Sequence, residues 1–252
     1  MDSNTRLRTP EYPKKGLFIT ATDTGIGKTW TTVAIARALQ KQNYRVGAYK
    51  PVATGVTTTS RNLRDDDAFQ LWDAIGRSHP IERVCPQTFN APLAPPVAAR
   101  EENMVINREL LFKGAAYWNQ LCDILLVEGV GGLLCPLTET ESVADLAKGL
   151  GYPLIIVIGN HLGTINHTLL TIEVAEKRGL SIAGLVINST SPESESSASK
   201  TNPDELKQRV QYPILATVGY QLNSIRNTYE KPSGPHLFDH PFDDINWLTL
   251  TD

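Results

Sequence analysis

Gly16-Leu17-Phe18-Ile19-Thr20-Ala21-Thr22-Asp23-Thr24-Gly25-Ile26-Gly27-Lys28-Thr29 passes from a short apolar run into a turn of small residues and then into a helical pattern. Strand, Gly-containing turn and helix in that order are the context of a phosphate-binding loop. Backbone N–H groups of the turn and of the helix N-terminus would point at phosphate oxygens. Lys28 would reach the terminal phosphates, and the Thr29 hydroxyl would ligate magnesium. The usual pattern begins with Gly where this chain has Thr22. A Gly-Lys-Thr triplet on an ordinary surface turn is therefore the competing reading, and the remainder of the chain decides between them.

Outward from this stretch, short apolar runs alternate with helical patterns. Leu17–Ala21 reads as a strand, Thr29–Gln42 as a helix with Val33, Ile35, Ala36 and Leu39 on its buried side, and Arg45–Tyr49 as a second strand. Residues 51–63 read as a polar loop and Asp65–Ile75 as a helix opened by consecutive carboxylates, which suit the helix dipole. Pro86, Pro92, Pro95 and Pro96 exclude regular helix through Cys85–Pro96. Further helices are expected over Asn107–Leu121, Val143–Leu150, Thr164–Arg178 and Pro203–Val210. Further strands are expected over Asp123–Val127, Pro153–Ile158, Ser181–Ile187 and Pro213–Val218.

Strands without apolar–polar alternation, separated by helices, are buried on both faces. That predicts an α/β domain with a single doubly wound, mostly parallel sheet flanked by helices. Right-handed crossovers place the strand C-terminal ends on one edge, where ligands of such sheets bind. Lys28, Lys50, Glu128 and Asn188 all follow or end strands and so converge there.

The 252 residues are 41% hydrophobic and 20% charged, with formal net charge −3. This suits one sizeable core and gives no electrostatic case for nucleic-acid or membrane-surface binding. No apolar run is long enough to cross a bilayer. The three cysteines, Cys85, Cys122 and Cys135, form no CxxC pair, so reduced thiols and a cytoplasmic location are expected. Residues 1–15 read as a flexible N-terminal arm, 16–221 as the catalytic α/β domain and 222–252 as an irregular C-terminal arm packed on it. Ser189–Lys200, rich in Ser and Glu, reads as a solvated loop.

Lys50, before Pro51, is either a solvated lysine at a loop entry or a second cation over a γ-phosphate. Glu128 precedes Gly129, Gly131 and Gly132. It is either a strand-end cap or a ligand for nucleotide-bound magnesium, and its position at the end of a buried strand favours the ligand. Asp65, Asp66 and Asp67 offer a second carboxylate, without the residues themselves saying which. His161 and His167 lack zinc-ligand spacing and companions. No Ser-His-Asp or Cys-His arrangement is visible.

Four blocks recur in order: Ala21 through Thr29; Tyr49-Lys50-Pro51-Val52-Ala53-Thr54-Gly55; Val127-Glu128-Gly129-Val130-Gly131-Gly132; and His161-Leu162-Gly163-Thr164-Ile165-Asn166-His167. Together they resemble the ATP-dependent dethiobiotin synthetases, over roughly residues 16–220, and so imply a fold of the P-loop NTPase type. The resemblance implies that 7,8-diaminopelargonate is carboxylated by carbon dioxide to a carbamate. The carbamate would attack the γ-phosphate of MgATP, and the second amine would close the cyclic urea and expel phosphate.

Carried onto this chain, the resemblance makes Thr24, Lys28 and Lys50 the catalytic groups on phosphate and carbamate oxygens. It makes Gly25, Ile26, Gly27, Lys28, Thr29, Trp30, Glu128, Asn188, Gly219 and Tyr220 the nucleotide site, with Asn188 on the adenine edge. Thr29, Asp67 and Glu128 would serve Mg2+. Thr54, where Ser is common, and Gly131 would meet the diamine. Gly163, Thr164, Ile165 and Asn166 would face the other subunit's active site in a homodimer. The chain departs from the family pattern at Ala21, Gly25, Ala94, Pro96 and Leu215-Ala216-Thr217-Val218-Gly219-Tyr220.

Two other readings compete. A cobyrinate-type amide ligase usually carries a glutaminase domain, for which this chain has no room. A partition-type ATPase switch carries an additional early Lys where this chain has Ala21-Thr22-Asp23.

Overall fold

The structure is a computed structural model that describes residues 11–56, 66–190, 197–220 and 241–251. Its centre is β1 (Gly16–Ala21), in which every residue is buried. Around it stand β2 (Val46–Tyr49), β5 (Ile124–Glu128), β6 (Leu154–Gly159), β7 (Ile182–Asn188) and β8 (Ile214–Val218). They form one six-stranded sheet in the order β2-β5-β1-β6-β7-β8. All its pairings are parallel. The unalternating apolar runs follow from this, because strands covered on both faces have no polar side to show.

Register decides where the chemistry can sit. Tyr49 lies beside Val127, Ile19 beside Glu128, Gly159 beside Asn188, and Asn188 beside Val218. The strand ends therefore share one edge of the sheet.

The helices α1 (Lys28–Lys41), α2 (Asp67–Ala74), α5 (Arg108–Ala116), α6 (Val143–Leu150) and α7 (Thr164–Lys177) agree with the expected ones to within a few residues at most ends. α1 packs on β1, β2, β5 and α2, while α7 packs on β6 and α8 (Ser197–Arg209). α6 opens with a capping box in which Asp145 accepts from both the hydroxyl and the N–H of Ser142. α5 approaches β2 so closely that a Cβ at Gly114 would lie 2.2 Å from Tyr49 Oη. That hydroxyl instead donates to Leu110 O at 2.5 Å.

The structure corrects three sequence expectations. The solvated loop over Ser189–Lys200 is wrong at both described ends, since Ser189 is buried and α8 already begins at Ser197. The cause is a buried amide network. Asn160 Nδ2 donates to Ser199 O and Ser189 Oγ, and Asn202 Nδ2 donates to Asn160 Oδ1 and His161 O. These bonds anchor the first turns of α8, and Pro203 is accommodated inside the helix.

Secondly, the proline-rich segment is not devoid of helix at its end. α4 (Pro95–Glu101) starts on its two prolines, which lose nothing in a first turn whose N–H groups lack intrahelical partners. Thirdly, a small second sheet pairs β3 (Ala53–Thr54) with β4 (Thr88–Phe89), preceded by the short α3 (Ile81–Val84). Two-residue strands carry too little periodicity to be read from sequence.

Residues 1–10 of the expected N-terminal arm, 57–65 and 222–240 lie outside the described residues. Past them, Phe242 and Trp247 are fully buried in the main core and stack at 5.5 Å between ring centroids. Trp30 of α1 meets Phe242 edge-on.

Candidate functional site

Glu128 closes β5 with no solvent exposure. A buried carboxylate needs donors on both oxygens to offset its lost hydration, and here it has them. Oε1 accepts from Lys50 Nζ at 2.6 Å and from Thr29 Oγ1 at 2.8 Å. Oε2 accepts from Thr32 Oγ1 at 2.7 Å. Lys50, just past β2, is also buried, and it donates a second bond to Asp67 Oδ2 at 2.8 Å.

α2 is capped by Asp66, whose carboxylate accepts from Phe69 N. This leaves Asp67, the next residue, to meet Lys50, and so separates two of the three aspartates that the sequence left equivalent. The third, Asp65, lies outside the described residues.

The charges in this cluster settle one another. Burial alone would lower the Lys50 pKa, but Asp67 and Glu128 together raise it well above its ordinary value. Desolvation works against Asp67, yet the charge and hydrogen bond of Lys50 hold it below the usual carboxylate range. Asp67 is half exposed, so solvent screens part of that attraction. Lys28 is lowered, first by burial and then by the positive charge of Lys50. The two lysines thus face a common space while carboxylates hold only one of them firmly.

The phosphate-binding loop itself depends on two left-handed residues, Gly25 (φ 72°) and Gly27 (φ 93°), the latter at the N-cap of α1. Ile26 between them is buried, and its carbonyl accepts from Asn188 Nδ2 at 2.7 Å. Asn188 at the end of β7 therefore holds the loop from across the sheet. Lys28 Nζ reaches back to Asp23 O at 3.3 Å, and the Thr24 N–H donates to Asp23 Oδ1. Gly131 (φ 62°) brings the loop after β5 against this turn, where a Cβ would lie 3.0 Å from Cys135 Sγ and 3.6 Å from Thr24 Oγ1.

The remaining expected residues are placed by the elements that carry them. Thr54 ends β3. Gly219 and Tyr220 follow β8, whose Val218 accepts from the Ser189 N–H. Trp30 follows Thr29 in α1. Gly163, at φ 95°, is the N-cap of α7. Thr164 is committed on both counts, with its hydroxyl donating to Gly159 O at 2.6 Å and its N–H to His161 O. Asn166 is exposed and Ile165 half-buried.

Sequence reasoning missed Thr32. Its place on the same face of α1 as Thr29, at i, i+3 spacing, is legible, but its partner is not. A threonine inside a helix does not advertise a distant carboxylate.

Hard oxygen donors such as Thr29, Asp67 and Glu128 suit a magnesium ion that takes its other ligands from phosphate and water. Among the described residues no group of three or more His, Cys, Asp or Glu side chains could hold a metal. Burial pushes the Cys85 thiol up to about 12 and the Cys122 thiol up to about 11, as expected of inert packing residues rather than nucleophiles. No helix among the described residues is long and apolar enough to cross a membrane.

A family model described as an AAA domain matches residues 15–228. ATP-dependent dethiobiotin synthetase BioD of Thermodesulfovibrio yellowstonii is 40% identical over 82% of this chain and 89% of its own. The BioD of Anaeromyxobacter dehalogenans is 43% identical over 73% of this chain and 80% of its own. That of Bacillus subtilis subsp. natto is 38% identical over 85% and 91%.

Proposed function

From the premise that the chain belongs to the ATP-dependent dethiobiotin synthetases, we propose how its strand-end residues divide the reaction. The chain is a dethiobiotin synthetase, a ligase, and that activity implies 7,8-diaminopelargonate and carbon dioxide as substrates beside ATP. The partition-type switch and the cobyrinate-type amide ligase are not favoured.

In our reading, an oxygen of the carbamate formed on one amine attacks the γ-phosphate and displaces ADP to give a carbamic–phosphoric anhydride. The second amine then attacks the carbonyl carbon, closes the ring and expels phosphate. Such chemistry asks the protein mainly to position reactants and to stabilise phosphoryl charge. Lys50, with its pKa raised by two carboxylates, stays protonated and serves as a fixed cation over the migrating charge. Lys28 follows the β- and γ-phosphates, and Thr24 donates to the transferring oxygens.

The backbone of Gly25, Ile26 and Gly27 cradles phosphate. Thr29, Asp67 and Glu128 would hold Mg2+, which when bound would neutralise phosphate charge. Asn188, Gly219, Tyr220 and Trp30 form the base and ribose side, and Asn188 also steadies the loop through Ile26.

Thr54 and Gly131 line the diamine site. We assign the substrate carboxylate to the start of α7, through the first-turn N–H groups of Ile165 and Asn166, since Thr164 is already engaged. That helix would belong to the partner subunit of a homodimer. The support is exposed apolar side chains before and along it: Leu162, ahead of its N-cap, is 85% exposed, and Leu170, within the helix, 54%. A cytoplasmic location accords with three free cysteines.

The observation that carries the reading is Lys50 held between Glu128 and Asp67 while Thr29 of the phosphate loop bonds the same Glu128. The test is ADP release with and without diaminopelargonate plus bicarbonate, with dethiobiotin identified by mass. ATP turnover that is indifferent to the diamine, or accelerated by DNA, overturns it.

A further inference from the structure

Three donors hold Glu128, and they are not equivalent. Lys50 and Thr29 both bond Oε1, and in the reading above both have business with the nucleotide. Among the described residues Thr32 alone bonds Oε2, at 2.7 Å, from a position with no solvent exposure. Its hydroxyl also lies 3.0 Å from Lys28 O. A hydroxyl has one proton, and the nearer, charged acceptor takes it. The Thr32 side chain is β-branched and packed in α1, so its direction is fixed by the helix.

We infer that Thr32 is a positioning residue, which sets the rotation of the Glu128 carboxylate so that Oε1 faces the phosphate loop. One lone pair of Oε2 is thereby engaged from within α1, and Oε1 is turned toward Thr29 and Lys50. Partners behind a ligating carboxylate orient it and tune its affinity, typically by about 10–100-fold. The inference rests on the assignment of Glu128 to magnesium.

ADP affinity measured by calorimetry, once with Mg2+ and once with EDTA, tests it in Thr32→Val, Thr32→Ser and Glu128→Gln. Thr32→Val is nearly isosteric but cannot donate, and circular dichroism confirms that it is folded. The expected result is that the Mg2+-dependent gain in ADP affinity falls about 10-fold or more in Thr32→Val and returns in Thr32→Ser. The affinity in EDTA should stay within about twofold. Three outcomes overturn the inference. One is an unchanged Mg2+ gain in Thr32→Val while Glu128→Gln loses its gain. Another is an equal loss with and without Mg2+, which marks a general role in α1. The last is an unchanged gain in Glu128→Gln, which removes the magnesium assignment itself and the inference with it.

Discussion

Lys50 Nζ lies 2.6 Å from Glu128 Oε1, a buried ion pair between residues 78 positions apart. Neither side chain could bear burial alone, because an isolated charge in a packed interior loses far more hydration than it regains. The pair is therefore the fixed point around which the loop after β1 and the start of α2 are arranged.

Replacing Lys50 by Ala should lower turnover by about 10²–10³-fold, the usual cost of one preorganised group on developing charge. The fold should survive with about 3–5 kcal/mol less stability, because Thr29 and Thr32 still donate to Glu128. Phosphate release gives the rate and far-UV circular dichroism gives the fold. Normal turnover in this variant removes Lys50 from the mechanism.

Gly27→Ala places a Cβ on a residue at φ 93°. A left-handed conformation costs a residue with a Cβ about 1–2 kcal/mol, and relaxing it turns the first N–H groups of α1 away from the phosphates. A drop in ADP affinity of about tenfold or more is expected by calorimetry, with a comparable loss of stability in urea. Wild-type affinity means that the loop conformation is not what binds phosphate.

The capping box at α6 gives a pH prediction. Hydrogen bonds from the Ser142 hydroxyl lead in holding Asp145 below the ordinary carboxylate range, helped by its N–H and by Arg178. A carboxyl whose folded pKa is depressed stabilises the fold above its unfolded pKa of about 3.9, and this is lost as pH falls through the lower folded value. Asp145→Asn should therefore lower stability by about 0.3–1 kcal/mol at pH 7, and the gap should close as pH drops below about 4. Urea midpoints at several pH values measure it. A gap that is flat with pH would show that the charge of Asp145 contributes nothing.

Leu170→Lys tests the homodimer. Sedimentation should give a dimer for the unaltered chain and a monomer for the variant at micromolar concentration, with turnover lost in parallel. A monomeric unaltered chain that retains full activity would falsify the shared site.

Much of the fold was open to reading. The apolar runs read as ending at Ala21, Tyr49, Val127 and Ile187 are strands that end at Ala21, Tyr49, Glu128 and Asn188. A parallel strand buried on both faces has no polar side, and that pattern is local. The start of α8 was hidden because the bonds that tie Ser199 and Asn202 to Asn160 join residues 39 and 42 positions apart. Thr32 was hidden for the same reason, since its partner is 96 positions away.

By itself, the sequence determined the turn after β1 and the succession of strands and helices along the chain. Glycine at Gly25 and Gly27, the apolar run before them and the helical period after them are demands of the local backbone. Only the tertiary structure decided which aspartate meets Lys50, and that Thr29, Thr32 and Lys50 divide the two oxygens of one carboxylate. Parallel pairing brings strand ends from distant parts of the chain to a single edge. The need to satisfy a buried charge there selects partners that no local pattern records.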